Sequence, residues 1–184
     1  MLTFVTGNES KFREACQILG MGLAKTSLKL SEVQSLSVEE VSIEKARSAF
    51  LKLRKPLIVE DTGLYINSLN GFPGALIRWF ELVGYEKICS LLPEDGRSAY
   101  AETCVTFISE NALETFVGRI NGRIASSPRG AYNFGWDVIF EPEGCDSTFA
   151  ELSESEKNKI SMRHLAFSKL KDYMDSNPNI YRSK

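Results

Sequence analysis

The sequence contains one histidine, His164, and this scarcity argues against several kinds of catalytic site. A zinc centre built on several histidines lacks its ligands, and a Ser-His-Asp triad would depend on this single imidazole. The spacing Gly-x4-Gly-Lys-Ser/Thr is absent as well, which argues against a P-loop. We therefore expect neither a histidine-based centre nor a kinase-like phosphate cradle.

Cysteines are few and widely separated, so no Cys-x-x-Cys metal site is available. They are Cys16, Cys89, Cys104 and Cys145. No signal peptide precedes them, and thiols stay reduced in the cytosol. We therefore expect free thiols in a cytoplasmic protein.

Long apolar runs and strong net charge are also missing. No run approaches the ~20 apolar residues of a membrane span, so we expect no membrane insertion. The net charge is −2, and no cluster of Lys or Arg forms a groove for a nucleic acid polymer. A small phosphorylated ligand remains compatible, because a few cations in a cleft suffice to bind it.

The 184 residues are 43% hydrophobic and 25% charged, which is typical of one soluble globular domain over residues 1–184. Apolar patterning predicts both strands and helices. Strands are predicted at 2–6, 57–59, 64–66, 98–109, 113–119 and 138–140, and helices at 11–19, 38–53, 76–83, 85–92 and from about 153 onward. A turn is predicted at Asn121-Gly122, and a capping box at Ser153 and Glu156 near the start of the last helix. This mixture predicts an α/β fold with a mixed sheet.

The segment at residues 6–11, Thr-Gly-Asn-Glu-Ser-Lys, joins the first strand to the first helix. Amides at a helix N-terminus are unpaired and the helix dipole is positive there, so such a turn favours an anion. Lys11 adds a positive charge. The alternative is an ordinary strand-to-helix turn in which Asn8 is the N-cap.

Two acids, Glu60 and Asp61, follow an apolar strand, where ligands often bind in α/β folds. Neighbouring strand side chains point to opposite faces, so only one of the two is expected to enter a given cleft. That carboxylate could ligate Mg²⁺ or accept a proton from water. The alternative is a solvated strand end.

The segment Phe134-Gly135-Trp136-Asp137 combines aromatic rings, a glycine and an acid. Aromatic faces stack on a purine, and a carboxylate accepts hydrogen bonds from base N–H groups. The alternative is a turn with core aromatics. On the final helix, Lys157, Ser161 and His164 share one face, and this pattern alone indicates only a charged helix surface.

Taken together, the motifs resemble those of the inosine/xanthosine triphosphate pyrophosphatases. In order they are Thr-Gly-Asn-x-x-Lys (6–11), Glu-Asp-Thr-Gly-Leu (60–64), Gly-Phe-Pro-Gly (71–74), Phe-Gly-Trp-Asp (134–137) and Glu-Lys-Asn-x-Ile-Ser-x-Arg (156–163), with Ala-Glu-Leu (150–152) before the last. The resemblance runs from about residue 2 to residue 170. It implies hydrolysis of ITP, dITP and XTP to the monophosphate and pyrophosphate.

The resemblance also implies a fold and a cofactor. The fold would be an elongated α/β protein with a long mixed sheet, flanking helices and two lobes around a central cleft. The protein would be a homodimer that uses Mg²⁺. Glu32, in Ser31-Glu32-Val33-Gln34, and Asp61 would bind the metal, although the family's segment begins with proline where Ser31 stands.

Site residues follow from the same resemblance. Asp61 would activate water, and Lys11 would be the second catalytic residue. The substrate-binding positions would be Thr6, Gly7, Asn8, Glu9, Ser10, Lys11, Lys45, Asp61, Thr62, Arg78, Phe134, Gly135, Trp136, Asp137, Lys157, Met162 and Arg163.

One position departs from the family pattern. The family's last motif is Ser-His-Arg, and this sequence has Ser161-Met162-Arg163. A thioether accepts hydrogen bonds weakly and donates none, so base selection is affected more than hydrolysis. Arg163 is the expected donor to the 6-keto oxygen. The alternatives are a related enzyme that prefers modified pyrimidine triphosphates and a nucleotide-binding sensor without catalysis.

Overall fold

The computed structural model describes residues 1–131, 135–178 and 180. The strands are β1 Thr3–Val5, β2 Ala24–Thr26, β3 Leu57–Ile66, β4 Pro73–Gly74, β5 Ser98–Ile108, β6 Leu113–Ile124 and β7 Phe140–Pro142. The helices are α1 Glu9–Leu19, α2 Val38–Leu53, α3 Ile77–Phe80, α4 Tyr85–Leu91, α5 Glu154–Ile160 and α6 Met162–Ser176.

The described strands form one mixed sheet in the order β2-β1-β3-β5-β6-β7, with β4 paired to β3. β1 runs parallel to β2 and β3, and the remaining pairs are antiparallel. β3, β5 and β6 are the long strands at its centre. The predicted α/β class with a long mixed sheet is confirmed, whereas the division into two lobes stays a prediction.

Helices cover both faces of this sheet because strand side chains alternate between the faces. Phe107 points toward Phe167 of α6, in a cluster that also includes α1. The next residue, Ile108, points toward Ala49 of α2. The neighbouring strand β3 alternates in the same way, with Ile58 in the first cluster and Val59 in the second. Polar side chains at successive positions of β3 therefore face different helices.

Several predicted boundaries hold, and several are wrong. Helix α2 covers the predicted 38–53, and Asn8 is the N-cap of α1, accepting from the Lys11 amide at 3.0 Å. The predicted turn at Asn121-Gly122 is wrong, because β6 continues to Ile124 and pairs there with β5 and β7. Here tertiary pairing outweighs the local preference of Asn-Gly for a turn.

The two predicted strands at 57–59 and 64–66 are one continuous strand, β3, because β5 pairs with it along its whole length. Strand β2 was not predicted. The predicted strand at 138–140 is wrong in part, since residues 135–139 form a 3-10 helix and β7 begins at Phe140.

The last predicted helix is two helices that meet at Ser161. Ser161 is extended (φ −70°, ψ 150°), ends α5, and caps α6 by accepting from the His164 amide at 3.1 Å. The predicted capping box at Ser153 and Glu156 is present at the start of α5. Because of the break, Lys157 and Arg163 do not project from one straight helix.

Two further features concern the cysteines and the helices. The four cysteines carry free thiols. Across residues 1–131, 135–178 and 180, the helices are too short or too polar to cross a membrane.

Candidate active site

A gap in strand pairing along one edge of β3 marks the candidate site. β1 pairs with Leu57 and Ile58, and β4 pairs with Leu64 and Tyr65. Between them, residues 59–63 have no paired strand on this edge within the described chain, a length of about 17 Å at ~3.3 Å per residue. Glu60 and Asp61 lie in this unpaired segment.

Glu60 and Asp61 point to opposite faces of β3, as the alternation of strand side chains predicts. Asp61 faces α2, where its Oδ1 accepts from Lys45 Nζ at 2.9 Å. The same Nζ lies 3.0 Å from Glu32 Oε1. One ammonium therefore bridges the two carboxylates that the sequence assigned to a metal.

The Asp61 carboxyl is largely buried, with 14% of its side chain exposed. Burial raises its pKa above the ordinary value, although Lys45 and Lys11 act in the opposite direction. Burial also acts to lower the pKa of Lys45, but Asp61 and Glu32 outweigh it and raise that pKa. The pair therefore places a carboxylate with a raised pKa next to an ammonium with a raised pKa.

Asp61 Oδ2 is buried and has no hydrogen-bond partner. An unpartnered carboxylate oxygen in a cleft is costly unless a cation or water binds it. No cluster of three or more His, Cys, Asp or Glu side chains suited to a metal occurs among the described residues. Two carboxylates still suit Mg²⁺, because this ion keeps several waters and takes phosphate oxygens as its remaining ligands.

On the other face, Glu60 is buried and fully paired. Its Oε1 lies 3.0 Å from Lys11 Nζ, and Arg163 donates from Nε to Oε2 at 3.0 Å and from Nη2 to Oε1 at 3.1 Å. Burial acts to raise the pKa of Glu60, but Arg163 and Lys11 outweigh it and hold that pKa far below its ordinary value. Glu60 is therefore a permanent anion.

Arg163 also donates from Nη1 to Glu14 Oε2 at 2.8 Å, and Glu14 Oε1 is buried without a hydrogen-bond partner. Sequence reasoning left Glu60 and Glu14 out of the site. The alternation of strand side chains indicates only that one of Glu60 and Asp61 points away from the cleft that the other enters. No local pattern indicated Glu14, which lies in the first turns of α1.

The 6–11 turn is stabilised by its own side chains. The Asn8 amide donates to Thr6 Oγ1 at 3.1 Å, and Asn8 caps the helix through Lys11. A Cβ at Gly7 would lie 3.3 Å from Ser27 Oγ, so the turn packs closely there. Glu9 forms an ion pair with Lys25. Ser10 is exposed at the start of α1.

Thr62 lies on the Glu60 face of β3. Its hydroxyl donates to Glu60 Oε1 at 2.8 Å and lies 2.9 Å from Thr103 Oγ1. Thr62 therefore contacts the Glu60 carboxylate rather than Asp61. Arg78 is exposed on α3 and joins none of these clusters among the described residues.

A third charged pair lies in the segment predicted to bind the base. Asp137 is buried and forms an ion pair with Lys157. Burial raises the pKa of Asp137, while Lys157 and then Arg163 act to lower it. Its Oδ1 is buried and has no hydrogen-bond partner. Arg163 therefore acts to lower the pKa of Asp137 as well as that of Glu60.

Two of the remaining predicted base contacts, Trp136 and Met162, are enclosed by protein. Trp136 is 3% exposed and packs edge-on against Phe140, and Met162 is 1% exposed in the same core cluster. Gly135 has φ +37°, and a Cβ there would lie 2.6 Å from Glu81 Oε1. Stacking on Trp136 and base contact by Met162 stay predictions, and Phe134 lies outside the described residues.

Comparison with known proteins gives one consistent result. A profile of the Ham1 family matches residues 2–173. A Methanopyrus kandleri protein named dITP/XTP pyrophosphatase is 44% identical over 180 residues, which cover 95% of this chain and 96% of the relative. A Trypanosoma cruzi protein named inosine triphosphate pyrophosphatase 1 is 44% identical over 176 residues, covering 92% and 90% respectively.

Solved structures agree in fold. A HAM1 protein from Coxiella burnetii superposes with a TM-score of 0.86 at 27% identity and covers 95% of this chain and 98% of its own. The Ham1 protein of Staphylococcus aureus gives a TM-score of 0.84 at 25% identity, with coverages of 96% and 98%.

Proposed function

This chain belongs to the Ham1 family, and we propose that it hydrolyses ITP, dITP and XTP to the nucleoside monophosphate and pyrophosphate. The names of the relatives give the substrate class. The single observation that carries the chemistry is the Lys45 ammonium between the Glu32 and Asp61 carboxylates, beside the unpartnered Asp61 Oδ2.

Glu32 and Asp61 would hold Mg²⁺, since carboxylate oxygens are the ligands this ion prefers. When bound, the ion supplies positive charge that polarises the triphosphate and stabilises the charge of the transition state. Asp61 Oδ2 fits this role because it is buried and lacks another partner.

Asp61 would accept the proton of the attacking water. Its raised pKa brings it closer to the pH at which a general base works well. The water attacks the α-phosphorus, the bond to the bridging oxygen breaks, and pyrophosphate leaves.

Lys11, Lys45 and the amides of the 6–11 turn would bind the phosphates. Lys11 is held by Glu60, and Lys45 by Glu32 and Asp61, so both ammonium groups are positioned before a substrate arrives. Most of the acceleration would then come from positioning and from charge stabilisation.

Arg163, Asp137 and Lys157 would select the base. A 6-keto oxygen accepts a hydrogen bond where the adenine amino group donates one. A site built to donate there leaves its buried groups unpaired when adenine enters, so ATP is rejected.

The proposal extends to a homodimer in the cytoplasm, as the family resemblance implies.

A pyrophosphate-release assay tests the function. The purified protein is given ITP, XTP, dITP, GTP, ATP or dTTP with Mg²⁺, and each again with excess EDTA. We expect kcat/KM for ITP, XTP and dITP to exceed that for ATP by at least about 100-fold, and EDTA to abolish release.

Other outcomes would replace the proposal. Faster release from dTTP than from ITP would indicate an enzyme for pyrimidine triphosphates. Binding of ITP without release of pyrophosphate would indicate a nucleotide-binding protein without catalysis. Full pyrophosphate release in excess EDTA would show that hydrolysis does not require a divalent metal ion.

A further inference from the structure

The Tyr65 hydroxyl makes two hydrogen bonds to the segment that leads into α2. Tyr65 is 6% exposed and lies four residues after Asp61, on the same face of β3. The hydroxyl donates to the Leu36 carbonyl at 2.8 Å and accepts from the Val38 amide at 3.1 Å. One phenol thus bonds to the Leu36 carbonyl and to the Val38 amide, on either side of the N-cap residue of α2.

This junction connects Lys45, which contacts Asp61, with Glu32, which contacts Lys45. The loop at residues 31–37 carries Glu32, and α2 carries Lys45 two turns after Val38. Glu32 is half-exposed, and its one ion pair among the described residues is with Lys45. The position of Glu32 therefore depends on the contacts that fix residues 36–38, where its loop joins α2.

A close backbone contact holds the same junction from a second direction. The Leu36 carbonyl also accepts from the Ala75 amide at 2.9 Å. Gly74 has φ +56°, and a Cβ there would lie 2.3 Å from the Leu36 oxygen. A Cβ at Gly63 would lie 2.8 Å from Val38 Cγ1. The junction consequently rests directly on β3 and β4.

The Tyr65 ring is fixed by its neighbours. It stacks on Tyr100 with a centroid distance of 4.5 Å and an interplanar angle of 4°. The Arg119 guanidinium lies 4.2 Å from the Tyr100 centroid, and its Nε donates to Glu102 Oε2 at 2.6 Å. A ring held in this way presents its hydroxyl at one fixed place.

We infer that Tyr65 is a positioning residue for the metal site: its hydroxyl fixes the 36–38 junction and thereby the spacing between Glu32 and Asp61. β3 then carries one ligand directly and sets the position of the other through Tyr65. The inference rests on the proposed function, because it takes Glu32 and Asp61 to be the metal ligands. Outer groups that orient metal ligands commonly change metal affinity by 10- to 100-fold when removed.

The test compares Tyr65→Phe with Tyr100→Phe, which removes a hydroxyl from the same stack but not from the 36–38 junction. Binding of Mn²⁺ alone to the substrate-free protein is measured by electron paramagnetic resonance. We expect Tyr65→Phe to raise the Mn²⁺ Kd about tenfold, and Tyr100→Phe to leave it unchanged. The kcat of Tyr65→Phe recovers at excess Mg²⁺, because the ligands themselves are intact.

Glu32→Gln is measured in parallel, so that the two proposals fail separately. If Glu32→Gln weakens Mn²⁺ binding and Tyr65→Phe does not, the positioning role is overturned and the metal site stands. A lower Tm for Tyr65→Phe at an unchanged Kd likewise means a structural role only. Equal weakening by Tyr100→Phe assigns the effect to ring packing and overturns the inference.

Unchanged affinity in Glu32→Gln, or no Mn²⁺ binding by the unsubstituted protein, overturns the metal site and the inference with it.

Discussion

Glu60 and Asp61 are adjacent in sequence and opposite in electrostatic behaviour. Burial raises the pKa of Asp61, whereas Arg163 and Lys11 hold the pKa of Glu60 far down. The difference arises because each side chain meets a different helix. A group with a raised pKa suits proton acceptance, and a permanently ionised one suits the holding of cations.

Asp61→Asn is expected to lower kcat by about 10²–10⁴-fold, since an amide cannot accept the proton. The fold should tolerate the change. The folded protein raises the pKa of Asp61, so the stability linked to this group is present when it is protonated and is lost as the pH rises through the raised value. At pH 7 the neutral amide should therefore not lower Tm.

Pyrophosphate release from ITP and thermal unfolding at pH 7 measure both quantities. Turnover near that of the unsubstituted enzyme would exclude Asp61 as the base. A large fall in Tm would mean that the ionised group supports the fold.

Glu60→Gln should destabilise the protein by about 3–5 kcal/mol at pH 7, because it breaks a buried ion pair. The folded pKa of Glu60 is lowered, so its stabilising contribution is present above the unfolded value of 4.5 and is lost as the pH falls through the folded value. The gap in Tm between the two proteins should therefore narrow as the pH falls below about 4.5.

Thermal unfolding of both proteins between pH 3 and pH 8 measures this gap, with Glu154→Gln as an exposed control on α5. A gap that is constant with pH would contradict the assigned charge state of Glu60.

At the scale of elements, the contact between β6 and the start of α6 is unusually close. A Cβ at Gly118 would lie 2.0 Å from the Met162 carbonyl oxygen and 2.6 Å from the Ala166 amide nitrogen. Because these are backbone atoms, α6 would have to move. Arg163 would move with it, away from its contacts with Glu60 and Glu14.

Gly118→Ala should lower the free energy of unfolding by about 1–3 kcal/mol, the usual cost of overpacking. It should also raise KM for ITP if Arg163 contacts the base. Gly22→Ala is the matched control, because nothing lies within 4 Å of its added Cβ. Urea unfolding and steady-state kinetics provide the measurements, and equal behaviour of the two variants would contradict the close packing.

The elements predicted well were those whose signal is local. Helix α2 has its apolar spacing within its own span and its Ser37 cap immediately before it, and the structure begins and ends it as predicted. The turn at Asn121-Gly122 failed because the partner strands, not the dipeptide, decide the conformation there. The break between α5 and α6 at Ser161 was not predicted, because this capping residue lies inside a sequence pattern that is helical throughout.

For the site, the sequence predicted the residues that lie in recognisable motifs. It did not predict those whose only signal is a contact with a residue far away in the chain. Glu14 bonds to Arg163 across 149 positions of the chain, and Glu60 bonds to the same residue across 103. No local spacing encodes such contacts. The fold is needed to show that Lys11 and Arg163 share the Glu60 carboxylate.

For the whole molecule, the family resemblance predicts a homodimer. Trp79 and Leu82 are 67% and 80% exposed, so the chain has apolar surface that association could cover. Light scattering coupled to size-exclusion chromatography should give twice the 20.6 kDa of one chain. A mass that equals one chain at all micromolar concentrations would contradict the dimer.

The opposite orientations of Glu60 and Asp61 make the length of β3 before them critical. Adding or removing one residue within 57–60 would turn every later side chain of the strand to the reverse side. The aspartate would then lie on the face of Arg163, and the glutamate on the face of Lys45. Such a protein could retain its overall architecture and every motif in its sequence, and still be inactive.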